Sequence, residues 1–515
     1  MKLYSQYDRK KEILRLPEKR VVIAGTGSGC GKTTVTSGIL QCLKNRKISA
    51  AAFKCGPDYI DPMFHEKILN TKSENLDLFF CGTEEVRRLA AEASQGCEIG
   101  VAEGVMGFYD GIGMTEEAST YEAAKALSAP VILVMGGRGM AASLLAVLEG
   151  FLHHREDSRI RGVIFNRLPA KLYGRLSRRV RELGVEPLGY LPVDSRLEIG
   201  NRHLGLVTAG EIENLQEKMR LLARQMEETV DIGGILKIAS EAEPLSARVP
   251  EKIAAAQKRV RERRESFEGK NRQKIITAES GEFPRIALAS DEAFCFTYRS
   301  SLTLLERLGA ELVPFSPLRD GKLPEDIDGL ILSGGYPELY AAQLEKNETM
   351  RRSVRHAAEE GMPLLAECGG FIYLHQAVEG ADGGGKMYRM AGVIPETCCR
   401  GKRLDQFGYI SLTPRKSGMA AAPGDTLKAH EFHYWKSTDP GKDFTAKKAD
   451  GSRDWQCGYS SETMYAGFPH LFLYSSPEAA ARFVIRCMEF RRKRRDSEWT
   501  ERMEREGERN EDKMI

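Results

Sequence analysis

Residues 20–42, RVVIAGTGSGCGKTTVTSGILQC, constrain the fold more than any other stretch of the chain. Val21, Val22 and Ile23 form a short apolar run that reads as a buried strand. A glycine-rich loop from Gly25 to Gly31 follows, and Lys32, Thr33 and Thr34 open a helix whose Val35, Ile39, Leu40 and Leu43 share one face. Together these parts make a phosphate cradle. Backbone N–H groups around Gly27, Gly29 and Gly31 and the helix N-terminus bind anionic oxygens. Lys32 reaches the terminal phosphates and Thr33 can bind magnesium, with Thr34 beside it. The spacing is unusual: the residue five before Gly31 is Thr26, and the nearest glycine is Gly25. A plain glycine turn is the alternative, but Gly-Lys-Thr between a strand and a helix favours a nucleotide site.

At 515 residues the chain is long enough for two or more domains, each with its own core. A formal net charge of +3 is too small to point to a nucleic-acid partner. The cysteines number 11, odd and without C-x-x-C pairs, which argues against a disulfide framework or a zinc site and fits a reducing cytoplasm. The N-terminus lacks the apolar core of a signal peptide. The most apolar stretch, 131–152, is interrupted by Gly136, Gly137, Arg138 and Gly139, so it reads as strand, turn and helix and no membrane association is expected.

Residues 1–18 read as a loosely held charged leader. From 19 to 240, apolar runs at 21–24, 50–53, 99–102, 131–135, 162–165 and 187–191 alternate with helical patterns, the signature of βαβ units and a parallel sheet flanked by helices. Ligands of such sheets bind at the carboxyl ends of the strands. Residues 241–283, with Arg259, Arg261, Arg263 and Arg264, read as a charged linker or solvated helix. The pattern restarts at 284 with strands at 286–289, 312–315, 330–332 and 364–366, extra β structure between 387 and 468, and an amphipathic helix from 477 to 492. Residues 493–515 read as a solvated charged tail.

Carboxylates cluster where strands end. KCGPDYIDP places Lys54, Asp58, Tyr59 and Asp61 after the second strand; IGVAEG ends an apolar strand in Glu103; GFYDG carries Asp110. Singly, each acid is most often a turn former or cap. Beside a phosphate loop, Thr33, Asp58 and Glu103 are the candidate magnesium set, against the β- and γ-phosphates.

A second centre is expected in the C-terminal domain. PLLAECGGF is a buried strand, a sharp turn carrying Cys368, and a helix start, which favours a nucleophile with its pKa lowered by the helix dipole. Gly369 and the glycine turn LSGGYPE, with Gly335, can supply backbone oxyanion donors. A cysteine nucleophile needs a base. Of His430, His433 and His470, the last, just ahead of the closing helix, is the best placed. His430 and His433 lie on a strand pattern that suits lining a site or a structural hydrogen bond.

GTGSGCGKTT, KCGPDYIDPMFH, EGVMGFYDG and RHLGLVTAGE resemble the ATP-binding half of cobyrinic acid a,c-diamide synthases, itself similar to dethiobiotin synthetase. SGGYPEL, AECGGFIYL and HEFHYW extend the resemblance through a class I glutamine amidotransferase-like α/β domain. It implies ATP and glutamine as co-substrates, magnesium as cofactor, and roles in amidation for Lys54, Asp58, Tyr59, Asp61, Glu103 and Asp110. It implies a Cys368–His470 pair without a full triad: many class I relatives carry a glutamate two residues after the histidine, where this chain has Phe472. The implied substrate is a corrinoid, cobyrinic acid, amidated at its a and c carboxylates. Hydrogenobyrinic acid and nickel-sirohydrochlorin are runners-up, and a nucleotide switch carrying an inactive glutaminase is the rival of another class. A homodimer stays open.

Overall fold

The computed structural model describes residues 13–197, 209–268, 283–404 and 406–511. The sequence readings at 1–12, 202–208 and 269–282 lie outside them. The chain divides into two compact units, Met1–Pro250 with Tyr298–Ser300 and Glu251–Thr297 with Ser301–Ile515.

In the first unit seven strands form one parallel sheet: β1 (Lys19–Gly25), β2 (Ala50–Cys55), β3 (Ser73–Leu76), β4 (Ile99–Glu103), β5 (Val131–Gly136), β6 (Ile160–Asn166) and β7 (Glu186–Leu191). Their spatial order is β3-β2-β4-β1-β5-β6-β7. Such a sheet is covered on both faces, which is why β1, β4 and β5 are apolar and buried almost end to end. The helix Lys32–Asn45 buries Val35, Ile39 and Leu43 in the same core as Leu222 and Met226 of the helix Ala209–Thr229. Gly38 permits this close approach, since a Cβ there would lie 3.2 Å from Leu222 Cγ and closer still to Met226. Register then sets the site: Ile23 of β1 and Lys54 of β2 both pair with Glu103 of β4. The glycine loop, Lys54 and Glu103 thus share the carboxyl edge of the sheet.

Strand β3 was not expected. Its sequence, Ser-Glu-Asn-Leu, has one large apolar residue, yet all four positions are buried. Side-chain hydrogen bonds compensate: His65 Nδ1 lies 3.1 Å from Ser73 Oγ, and Asn75 Nδ2 donates to the carbonyls of Gly56 (2.9 Å) and Asp58 (2.8 Å).

Two expectations need correction. The leader is not loose from residue 14 onward: Leu14–Arg15 pairs antiparallel with Ser246–Ala247, and Leu14 and Leu16 are buried. The stretch read as a charged linker or solvated helix does hold a helix, Glu251–Glu268, but one packed in the second unit. Three of its apolar residues, Ile253, Ala256 and Val260, fall at spacings of three and four and are buried. Arg263 Nη2 meets Glu489 Oε1 of the closing helix at 2.6 Å.

The second unit has a sheet of β8 (Arg285–Ala289), β9 (Glu311–Phe315), β10 (Gly329–Leu332), β11 (Leu364–Glu367), β16 (Tyr459–Ser460) and β17 (Met464–Gly467), in the order β9-β8-β10-β11-β17-β16. All neighbours are parallel except β16, which runs antiparallel to β17. The extra β structure includes an antiparallel sheet of β12 (Gln406–Pro414), β13 (Leu427–His433), β14 (Phe444–Lys448), β15 (Asp454–Cys457) and β18 (His470–Leu471), ordered β15-β14-β12-β13-β18. The closing helix runs Pro477–Glu511, longer than expected. Buried Asp328 anchors it, with Arg491 Nη1 at 2.7 Å and Arg494 Nη2 at 3.3 Å. Among the described residues no helix is long and apolar enough to cross a membrane.

Candidate active sites

In the first unit the glycine loop closes over its own lysine. Gly29 (φ 76°) and Gly31 (φ 103°) adopt left-handed backbone that favours glycine. Lys32 is buried, its Nζ donating to Gly27 O at 3.0 Å and to Met106 O. Burial lowers its pKa. Thr33, the second helix residue, donates from Oγ1 to Glu103 Oε1 at 2.5 Å; Thr34 follows, half-buried.

Glu103 is fully buried and holds the cluster together. Lys54 Nζ lies 2.9 Å from Glu103 Oε1, 2.7 Å from Asp61 Oδ2 and 3.2 Å from Gly104 O. Burial, with Asp61 nearby, pushes Glu103 above the usual carboxylate range. Burial opposes the Lys54 ammonium, but Glu103 and Asp61 outweigh it and raise its pKa. Asp58 Oδ1 accepts the N–H of Ile60 at 2.7 Å, starting the helix Ile60–Lys67; burial and Asp61 raise its pKa. Tyr59 is buried next to it. Asp110 is exposed and accepts Gly107 N–H at 2.7 Å, closing a turn near Lys32.

Of the candidate magnesium set, then, Thr33 and Glu103 meet directly, whereas the Asp58 carboxyl accepts backbone N–H groups at the start of a helix. No group of three His, Cys, Asp or Glu side chains converges as a metal cage among the described residues. A magnesium ion needs no such cage, because one or two carboxylates plus phosphate oxygens suffice. Glu103 fits: its second oxygen is buried without a hydrogen-bond partner among the described residues, 3.8 Å from His65 Nε2. His65 and Asn166 are residues the sequence reading passed over. Asn166 ends β6 and donates from Nδ2 to Cys30 O at 3.0 Å, pinning the glycine loop. The only sequence signal for either is a polar residue closing or facing a strand end.

In the second unit β11 runs into Cys368, whose φ of 46° and ψ of −99° are strained for a residue with a side chain. Its N–H donates to Gly467 O at 2.8 Å, and the helix Gly369–Leu374 starts immediately after. This is the elbow that the sequence suggested. Gly335 and Gly369 come together: a Cβ on Gly369 would lie 2.8 Å from Gly335 N and 2.9 Å from Pro337 Cδ. The expected thiol activation, however, is reversed. Burial, together with Glu338 and Glu431, raises the Cys368 pKa, and a six-residue helix does not overcome that.

His470 is buried on β18, with Cε1 packed over Gly334. Burial, with His430 and His433 nearby, lowers its pKa to about 3. His430 pairs with His470 across β13 and β18. His433, an odd number of residues away, is on the other face of β13. It is hydrogen-bonded through Nδ1 to Trp435 O at 2.7 Å and stacked on Phe468 at 3.9 Å. A carboxylate does accompany His470, contrary to expectation, and it is Glu367: Oε2 lies 3.9 Å from His470 Nδ1, and Oε1 accepts Leu471 N–H at 3.1 Å. The sequence hid it because it precedes the cysteine instead of following the histidine.

Residues 21–207 match the CobQ/CobB/MinD/ParA nucleotide binding domain, and residues 285–477 match the CobB/CobQ-like glutamine amidotransferase domain. The chain is similar to the cobyrinate a,c-diamide synthase of Caldanaerobacter subterraneus, 36% identical over 92% of this chain and 99% of the relative. The Salmonella typhimurium protein of the same name is 37% identical over 90% of this chain and 98% of its own. That of Priestia megaterium is 34% identical over 94% and 100%. With two domain matches in that order and likeness over nine-tenths of its length, the chain belongs to the cobyrinate a,c-diamide synthase family of glutamine amidotransferases.

Proposed function

We propose that this chain amidates the a and c side-chain carboxylates of cobyrinic acid, using ATP to activate each carboxylate and glutamine as the source of ammonia. The observation that carries the reading is the Thr33–Glu103–Lys54–Asp61 constellation at the mouth of a glycine loop, in a chain that also holds the Cys368 elbow. The substrate follows from the names of the relatives.

In the second unit Cys368 Sγ attacks the carboxamide carbon of glutamine. N–H groups near Gly335 and Gly369 hold the oxyanion. The C–N bond breaks as His470 passes the thiol proton to departing ammonia, and water then hydrolyses the glutamyl thioester to glutamate. At its lowered pKa the resting imidazole is neutral and can accept that proton, although burial makes it a weaker base than an ordinary histidine. In the first unit the substrate carboxylate attacks the γ-phosphorus and ADP leaves. Lys32 offsets the charge that develops on the phosphoryl group. Ammonia attacks the acyl phosphate and displaces phosphate. Thr33 and Glu103 would hold magnesium, which when bound neutralises phosphate charge; Lys54, Asp58, Tyr59, Asp61 and Asp110 are assigned to the carboxylate side.

The test is incubation with ATP, magnesium, glutamine and a panel of tetrapyrrole acids, read by mass. Each conversion lowers the mass by about one unit. Two conversions on cobyrinic acid are expected. Cys368→Ala is expected to end glutamine use while ammonia still supports amidation. No mass change on any tetrapyrrole would overturn the substrate, and full glutamine use by Cys368→Ala would overturn the two-site scheme.

A further inference from the structure

The Glu367 carboxylate reaches across from β11 to the strand that carries His470. One oxygen accepts the Leu471 N–H at 3.1 Å, which fixes the backbone next to the imidazole. The other lies 3.9 Å from His470 Nδ1. Glu367 is also the residue before Cys368, whose own N–H is tied to Gly467 at 2.8 Å. The residue next to Cys368 in the chain therefore accepts the N–H of the residue next to His470 and sets its second oxygen beside the His470 ring.

We propose that Glu367 is the positioning residue of the glutaminase centre: it orients His470 through Nδ1, leaves Nε2 to accept the thiol proton, and stabilises the imidazolium while the thioester forms. The inference rests on Cys368 and His470 carrying the glutamine reaction. When the Sγ–C bond forms and the thiol proton passes to Nε2, the ring becomes cationic and draws the carboxylate in; the proton then leaves with ammonia, and Glu367 ends the cycle unchanged. A contact that is long in the resting enzyme and shortens as charge develops is the expected behaviour of such a pair. The titratable groups within electrostatic reach of the pair are His430 and His433 from the two faces of β13, Tyr465 from β17 and Cys368 itself. Burial raises the Glu367 carboxyl to about 8, so it is a group whose charge responds to a cation arriving beside it.

Glu367→Gln separates this role from a structural one. Glutamine keeps an oxygen for the Leu471 N–H and removes only the capacity to ionise beside the imidazolium. The full-length variant is assayed for glutamine hydrolysis against pH, with its melting temperature checked against the parent. The expected result is a fall of about 10²-fold in kcat, with KM changed less than about threefold, and an acid limb of the profile displaced to lower pH. Glu367→Asp, which keeps an ionisable carboxyl, is expected to recover about tenfold over Gln. Parent-like kcat and pH profile in Glu367→Gln would overturn the inference, as would an Asp variant no better than Gln. Cys368→Ala and His470→Ala run alongside: if either still hydrolyses glutamine, the glutaminase reading itself falls, a result distinct from failure at Glu367 alone.

Discussion

Gly369→Ala tests the oxyanion geometry most directly. The new Cβ would sit 2.8 Å from Gly335 N, 2.9 Å from Pro337 Cδ and 3.2 Å from Gly335 O. Apolar contacts settle near 3.5–4.0 Å, so the methyl intrudes by about 0.7 Å on the tightest partner. That partner is backbone, and Gly335 cannot yield easily, because a Cβ at Gly335 would itself lie 3.0 Å from Phe294 Cα. Overpacking of this kind costs about 1–3 kcal/mol of stability, which a unit with this core can absorb. The catalytic loss is expected to be larger. Displacing one oxyanion donor costs about 10²–10³ in kcat, or roughly 3–4 kcal/mol of transition-state stabilisation. Glutamine hydrolysis is measured by released glutamate, with thermal melting and ammonia-dependent amidation reporting on the fold. Glutaminase kcat within about threefold of the parent, in a folded variant, would refute the assignment of donors to this turn.

Three further outcomes are expected. Gly27→Ala meets no protein atom within 4 Å, so its melting temperature should match the parent while nucleotide affinity falls; calorimetric titration with ATP decides, and unchanged affinity would remove Gly27 from the cradle. Glu338 is buried and its carboxyl raised to about 7 by that burial. The sign follows from its ordinary pKa near 4.3: its contribution to stability is full below that value and is lost as pH rises through about 7. Glu338→Gln should therefore gain on the parent between pH 5 and pH 8, on the order of 3 kcal/mol at most, and a melting-temperature difference independent of pH would refute it. Asp328→Ala leaves Arg491 and Arg494 facing a buried hole and removes the acceptor of Arg285 N–H at 2.9 Å. Urea unfolding should show a loss of about 3 kcal/mol, and a loss below about 1 kcal/mol would mean the closing helix does not depend on this anchor.

Much of the first unit was legible because a parallel sheet buried on both faces writes its strands as apolar runs. Strand β3 escaped that rule, since Ser73, Glu74 and Asn75 are buried by hydrogen bonding and not by hydrophobicity. The packing of the helix Glu251–Glu268 escaped for a related reason: three buried apolar positions among arginines suffice to pack one face, whereas composition registers only the arginines. At the sites, residue types at strand ends revealed Glu103, Lys54 and Cys368, but charge state did not follow from local sequence. A helix start argued for a lowered thiol pKa, and depth of burial, a property of the whole unit, decided the opposite direction.

The glycine loop shows how a departure in spacing can be a consequence of packing. The loop has glycine at 25 and threonine at 26, one place off the common pattern. A Cβ at Gly25 would lie 2.8 Å from Lys32 Cγ and 2.9 Å from Cδ, and would also strike Cys30 Sγ. The lysine stem lies along the loop because Nζ reaches back to Gly27 O and Met106 O. Bulk is therefore excluded at the end of β1, where the stem crosses. At residue 26 the backbone N–H is already satisfied by Val134 O at 3.2 Å, as a continuation of the strand pairing, and a side chain is accommodated. The place that must lack a side chain is set by where Lys32 runs, and counting residues from Gly31 locates it only when the lysine takes the usual path.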